Sequence, residues 1–261
     1  MQFMDQTIGL KLIMDRLLLL SGNDIPLMGV GLQLHPPKLK EIAYLGETKF
    51  FSGLELLKFS KRSLKMDKNQ LEVLTDFDII MKIMEDKSQD FKEIRENVLL
   101  VLFLLFPKYS INFNFQKNQI EFLEEEKEIR YLNKLNYKYF KETLIELFPL
   151  EEKSQDFNPS GDLSKKIAEK LEKRKKRLAE LKHEIIEIDI LSQYASILAI
   201  GLQIDLNDIM NYTVYQLFDN QKRFNLKSVY DATVQAKLAG CSDIPEAKSW
   251  MEDLYTKDIN K

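Results

Sequence analysis

The sequence predicts an α+β protein that is predominantly α-helical, with a mixed N-terminal domain carrying a β-hairpin and an all-helical C-terminal module. Three observations predict this. The 261 residues include only 9 Gly and 7 Pro, about half the usual share, which favours long helices over tight turns. Apolar residues make up 44% and charged residues 30%, enough apolar material for a real core. Apolar side chains alternate with polar ones in one stretch, residues 109–122, and elsewhere recur at helical spacing.

Residues 1–20 are densely apolar (Ile8, Leu10, Leu12, Ile13, Leu17) and read as a strand or a short buried helix; periodicity does not decide. Ser21-Gly22-Asn23-Asp24 is a turn cluster. Ile25 to Leu34 reads as a strand, broken by His35-Pro36-Pro37, with Pro37 suited to a first helical position. Leu39, Ile42, Ala43, Leu45, Phe50, Leu54 and Leu57 have helical spacing, with a possible break at Gly46. Asp67 to Gln70 reads as a loop and Leu71 to Met84 as a helix. Ser88 is a candidate N-cap for the next helix, with Asp90 and Glu93 near its positive end. The apolar run Val98 to Phe106 is far shorter than the roughly 20 residues a membrane helix needs, so it reads as buried core.

After Pro107 the period changes to two. Tyr109, Ile111, Phe113 and Phe115 alternate with polar residues, Gln116 to Gln119 forms a turn, and Ile120 and Phe122 continue the alternation, which makes a hairpin. Glu124-Glu125-Glu126 reads as a solvated turn. Asn136 to Phe148 reads as a helix closed by Pro149. Residues 151–163, polar and holding Pro159 and Gly161, form the candidate linker between a domain at 1–150 and a helical module at 164–261.

That module opens on a basic amphipathic segment. Residues 165–182 hold nine Lys or Arg against three Glu. Leu171, Leu178 and Ile185 are spaced by seven, and Ile167, Leu181 and Ile188 fill a second position that Arg174 interrupts. Three uses stay open: a charged helix packed on the core, a helix for self-association or partner docking, and a nucleic-acid contact. The basic run has no aromatic side chain for base stacking, and the whole chain has a net charge of −3 and a pI near 5.7, so nucleic acid is not an expected partner. Farther on, Ile190 to Ile204 is strongly apolar, Asp205 and Thr213 are candidate caps, Phe224 to Leu238 continues helical, and Gly240 supplies a stop. Trp250 lies in a last amphipathic segment.

Chemistry has little to build on. No glycine-rich phosphate loop, nucleophile elbow or H-E-x-x-H pattern occurs. The two histidines, His35 and His183, read as a packing or capping residue and a surface residue. Cys241 reads as an incidental thiol, and as the single cysteine it excludes a disulfide framework within the chain. The expectation is a protein that is not an enzyme, with no cofactor and no metal, no signal peptide and no membrane span.

Several stretches resemble proteins of tailed-phage morphogenesis clusters, of the kind called tail assembly chaperones. They are Asp205-Leu206-Asn207-Asp208-Ile209-Met210-Asn211-Tyr212-Thr213-Val214-Tyr215-Gln216-Leu217-Phe218-Asp219 with Lys222-Arg223-Phe224, then Ala239-Gly240-Cys241 with Trp250 nine residues on. Asn158-Pro159 ahead of the Lys/Glu segment and Pro36-Pro37-Lys38-Leu39-Lys40-Glu41-Ile42 add to it. The resemblance implies a helical, non-catalytic factor in the cytoplasm of the bacterial host, binding the tape-measure protein or other tail proteins, with homo-oligomers possible. A tape measure is a long, partly apolar helical chain that aggregates if left uncovered, and helix-in-groove recognition suits it. Leu171, Leu178, Tyr215, Phe218, Phe224 and Trp250 are the candidate partner-binding residues, since aromatic side chains dominate interface hot spots. The alternative is a structural virion component, a head–tail or baseplate protein.

Overall fold

Asp15 accepts a hydrogen bond from the N–H of Leu17 at 2.9 Å, and this cap makes the first described segment a helix, α1 (Arg16–Ser21), rather than a strand. The computed structural model describes residues 15–60, 74–124, 129–149, 189–241 and 249–251. The basic segment at 165–182, the linker at 151–163 and the loop at 67–70 lie outside the described residues. Gly22, at φ 67°, closes α1 in the left-handed region where a side chain is strained.

The expected single strand from Ile25 to Leu34 is instead a hairpin. Strand β1 (Ile25–Leu27) pairs antiparallel with β2 (Leu32–Leu34), Ile25 opposite Leu34. Gly29 and Gly31, both at positive φ, supply the turn between them. Apolar residues on both sides hide such a turn, because only the two glycines mark it. The next helix, α2 (Leu39–Leu45), starts two residues beyond Pro37, with Lys38 as its cap. The Lys38 N–H donates to Glu41 Oε2 at 2.7 Å. His35 lies between two carboxylates, with Nδ1 3.0 Å from Asp24 and Nε2 3.3 Å from Glu41, so it joins the end of β2 to the turn before β1 and to the start of α2. Burial opposes ionisation of Asp24, but bonds from Lys108 and His35 prevail and hold its carboxyl below the usual range.

Gly46 breaks the helical stretch as its position suggests, and α3 (Glu47–Leu57) follows. Helix α4 (Asp76–Glu85) opens on a reciprocal cap between Thr75 and Asp78. Asp78 also accepts from Asn118 Nδ2 at 2.7 Å. Although burial works against it, the bonds from Thr75 and Asn118 hold the Asp78 carboxyl below its ordinary value. Its stabilising effect is therefore present above the unfolded-state value and lost as pH falls through the lowered one. Ser88 stands at the N-cap position of a single 3-10 turn (Gln89–Phe91), not of a full helix, and its side chain makes no capping bond; α5 (Lys92–Leu105) begins at Lys92. Val98, Val101, Leu102 and Leu105 are fully buried, as the apolar run requires, but Leu100 and Phe103 reach solvent.

The alternating stretch forms β3 (Ser110–Asn114) and β4 (Gln119–Leu123), with Phe113 opposite Ile120. Phe115 falls in the turn, not the strand. A third strand, β5 (Arg130–Leu132), extends the sheet beside β4; three residues are too few to give a periodic signal. Ile120, Phe122 and Leu132 form the buried face. Helix α6 (Tyr137–Leu147) lies near it, and the Phe106 ring meets both Phe122 and Phe140, at centroid distances of 4.7 and 5.8 Å. Buried Tyr137 donates its hydroxyl to the Leu57 carbonyl at 2.6 Å, and burial lifts its pKa far above the usual range.

The remaining elements are α7 (Ile190–Leu202), α8 (Leu206–Ile209) and α9 (Val214–Leu238). Asp205 and Thr213 cap α8 and α9 through their side chains, as their positions predict. These helices share one buried cluster with the rest, running from Leu19 to Phe218. Backbone bonds fasten the two parts: Leu39 N–H donates to Tyr212 O at 2.9 Å and Lys40 N–H to Met210 O at 3.0 Å, beside a Lys38–Thr213 bridge. Among the described residues no helix is long and apolar enough to cross a membrane.

Helices α3 and α5 meet at Gly53. A Cβ there would lie 2.5 Å from the Asn97 carbonyl oxygen and 2.8 Å from a Val101 methyl. Gly53→Ala is therefore expected to destabilise the protein by about 1–3 kcal/mol, outweighing the roughly 1 kcal/mol that alanine gains in a helix. A urea titration checks this; a stabilised variant would show that the crossing is looser than described.

Candidate interaction surface

Helix α9 is 25 residues long, so it extends about 37 Å at 1.5 Å per residue. Its first two turns are anchored. Thr213 accepts from the Gln216 N–H at 3.3 Å, Gln216 Oε1 accepts from the Thr213 N–H at 2.8 Å, and Gln216 Nε2 donates to Leu20 O at 2.7 Å. Val214, Tyr215, Leu217 and Phe218 are buried, and the Tyr194 ring on α7 meets Phe218 edge-on at 5.4 Å. Asp219, also buried, accepts from Arg16 at 2.9 Å and from Arg223 at 3.4 Å. One carboxylate thus ties α9 to α1 and braces the next turn of its own helix.

The seam between α7 and α9 closes at Phe224. A Cβ on Gly201 would lie 2.3 Å from that ring, so Gly201 allows the two helices to approach. Beyond this point α9 changes character. From Asn225 to Leu238 no side chain is fully buried. Val229 is 59% and Leu238 84% exposed, with Tyr230 and Val234 also reaching solvent. The few charges here largely neutralise one another, since Lys227 pairs with Asp231 at 2.5 Å.

Helix α7 adds a second apolar face. Its 13 residues, ILSQYASILAIGL, contain no charged side chain. Leu191, Ala195 and Leu198 face the core, while Ile197 and Ile200, the latter 81% exposed, face solvent. A solvated helix face normally carries charge, so an uncharged one holding two isoleucines reads as a contact surface.

The six residues chosen from sequence fall into three groups. Leu171 and Leu178 lie outside the described residues. Tyr215 and Phe218 turn inward and form the α9 anchor. Phe224 and Trp250 are half-buried at the edge of the surface, and Arg223 Nη1 donates to the Trp250 carbonyl at 3.4 Å. Sequence reasoning missed Ile197, Ile200, Val229, Tyr230, Val234 and Leu238. The available signals were the lack of charge in α7 and the thinning of apolar residues along α9, which leaves too few to bury the whole helix.

Residues 188–255, about a quarter of the chain, match the model of the family described as the YomV second domain. That family is phage-derived, of the Bacillus phage SPBeta-like kind, and the match covers α7, α8, α9 and Trp250. No curated protein and no solved structure matches the chain.

Trp250 is the single tryptophan, so its fluorescence reports on this edge. Arg223→Ala removes the bond to the Trp250 carbonyl and one of the Asp219 contacts. The expected result is a red shift of tryptophan emission with the helical circular dichroism retained. Unchanged emission would show that Arg223 does not hold residues 249–251 against α9.

Proposed function

We propose that the protein is a non-catalytic phage tail assembly chaperone, acting in the cytoplasm of the bacterial host and binding the tape-measure protein or another tail protein. The observation that carries this reading is the exposed apolar surface of α7 and the distal half of α9, on the segment that matches a phage-derived family. The sequence resemblance to tail morphogenesis proteins points the same way. A client of this kind is an amphipathic helix whose apolar stripe needs cover before the tail tube grows around it. The surface offers helix faces of the right length and polarity, and the task requires no reactive group. Self-association through the heptad pattern at 167–188 would raise avidity for a long, repetitive client.

The test is a tagged pull-down from phage-producing cells after nuclease treatment, paired with mass spectrometry of purified particles. The expected outcome is recovery of the tape measure or another tail protein, with this chain absent from particles. Stoichiometric retention in particles would replace the chaperone reading with that of a structural virion component. A Val229→Asp, Val234→Asp variant is expected to lose the client while keeping its helical content, because both side chains lie on the exposed part of α9.

A further inference from the structure

Helix α1 is seated along one face of α9 and runs antiparallel to it. A Cβ on Gly22 would lie 3.3 Å from a Thr213 methyl. The Leu20 carbonyl accepts from Gln216 Nε2 at 2.7 Å, and Arg16 Nη2 donates to Asp219 at 2.9 Å. Residue numbers fall along α1 as they rise along α9, so the chain enters α1 at the end nearer the distal half of α9. Residues three or four apart share a helix face, and the row Gln216, Asp219, Arg223, Leu226, Tyr230, Val234 keeps that spacing. Leu226 is half-buried, and Tyr230 and Val234 reach solvent. The apolar stripe of the distal half is therefore the direct continuation of the face that α1 occupies. Residues 249–251 meet the same row at Arg223, one turn before Leu226.

Residues 1–14, which lie outside the described residues, have the composition to match that stripe. Phe3, Met4, Ile8, Leu10, Leu12 and Ile13 are apolar, and the charges of Asp5 and Lys11 cancel. Fourteen residues extend about 21 Å as a helix and up to about 46 Å as a strand. Asp219 to Val234 is about 22 Å along α9, so the segment reaches the stripe in either conformation. Its tether to α1 holds it there at an effective concentration on the order of millimolar, above that of a second copy in dilute solution.

We propose that residues 1–14 dock on the Leu226–Tyr230–Val234 stripe, antiparallel to α9, as the stripe's occupant in the free chain. The contact is apolar, tethered at one end and made to side chains at the surface, so it opens readily, and the distal half of α9 still exchanges faster than its anchored half. A partner that takes this stripe displaces the segment first, and its apparent affinity falls with the fraction of chains already occupied. The docking is a property of the free chain and does not depend on which partner that is.

The test uses the full chain with a nitroxide on Cys241, the exposed single cysteine just past the end of α9. The label broadens methyl signals near that end. Antiparallel docking places Met4 beside the distal half and Met14 beside Asp219, so the Met4 methyl is expected to be broadened strongly and the Met14 methyl weakly. Ile8→Asp in the segment and Val234→Asp on α9 are each expected to abolish the Met4 broadening with helical circular dichroism retained. Broadening of neither methyl, equal broadening of both, or Met4 broadening that survives the two substitutions would each overturn the proposal. So would Met4 broadening in an equimolar mixture of spin-labelled chains and separate isotope-labelled chains, because a second copy would then hold the segment.

Discussion

The short backbone seam between residues 38–40 and 210–213 is the constraint on which the rest depends. Two hydrogen bonds and the Lys38–Thr213 bridge fix where α9 begins. Thr213 is part of that seam and is also the cap of α9, so the helix is aimed by the same residue that fastens it. Gln216 then reaches Leu20, and Asp219 reaches Arg16, so the first two turns are held by α1 as well. Thr213, Gln216 and Asp219 are each partnered and largely withdrawn from water, the condition under which such bonds specify one geometry. A helix anchored this firmly at one end can project its other end without support.

This anchoring explains why the apolar residues of α9 divide as they do. The proximal ones are consumed by the core and the distal ones are left over. The same division holds across α7, where the inner face packs against Phe218 and its neighbours and the outer face keeps Ile197 and Ile200 in water. Leaving such side chains exposed forfeits about 25 cal/mol for each Å² of apolar area that burial would remove from water. A partner that covers them recovers that energy, which is the physical basis for reading the phage-related segment as an interaction module.

Much of the fold was legible in the sequence where a local chemical rule acts alone. Gly46 broke its helix, Asp205 and Thr213 capped theirs, and the alternation at 109–122 became a hairpin. The rule failed where two signals overlapped. Ile25 to Leu34 is apolar on both sides of Gly29 and Gly31, with Gln33 its one polar side chain, so the turn was masked, and Ser88 stands ahead of a single 3-10 turn because the helix proper begins at Lys92. β5 was too short for any periodicity. The surface was less legible than the fold. Tyr215 and Phe218 have the residue types of a hot spot, yet only tertiary packing decides whether an aromatic ring serves the core or a partner. The opposite holds for Val229 and Val234, which have the residue types of a core and lie on the outside.

The most direct measurement is hydrogen–deuterium exchange along α9 in the isolated chain. The account predicts slow exchange from Leu217 to Phe224, held by the seam and by Asp219, and much faster exchange from Leu226 to Leu238, where no side chain is fully buried. Uniform slow exchange along all of α9 would contradict it, because the distal half would then already be covered and could not be the surface that waits for a partner.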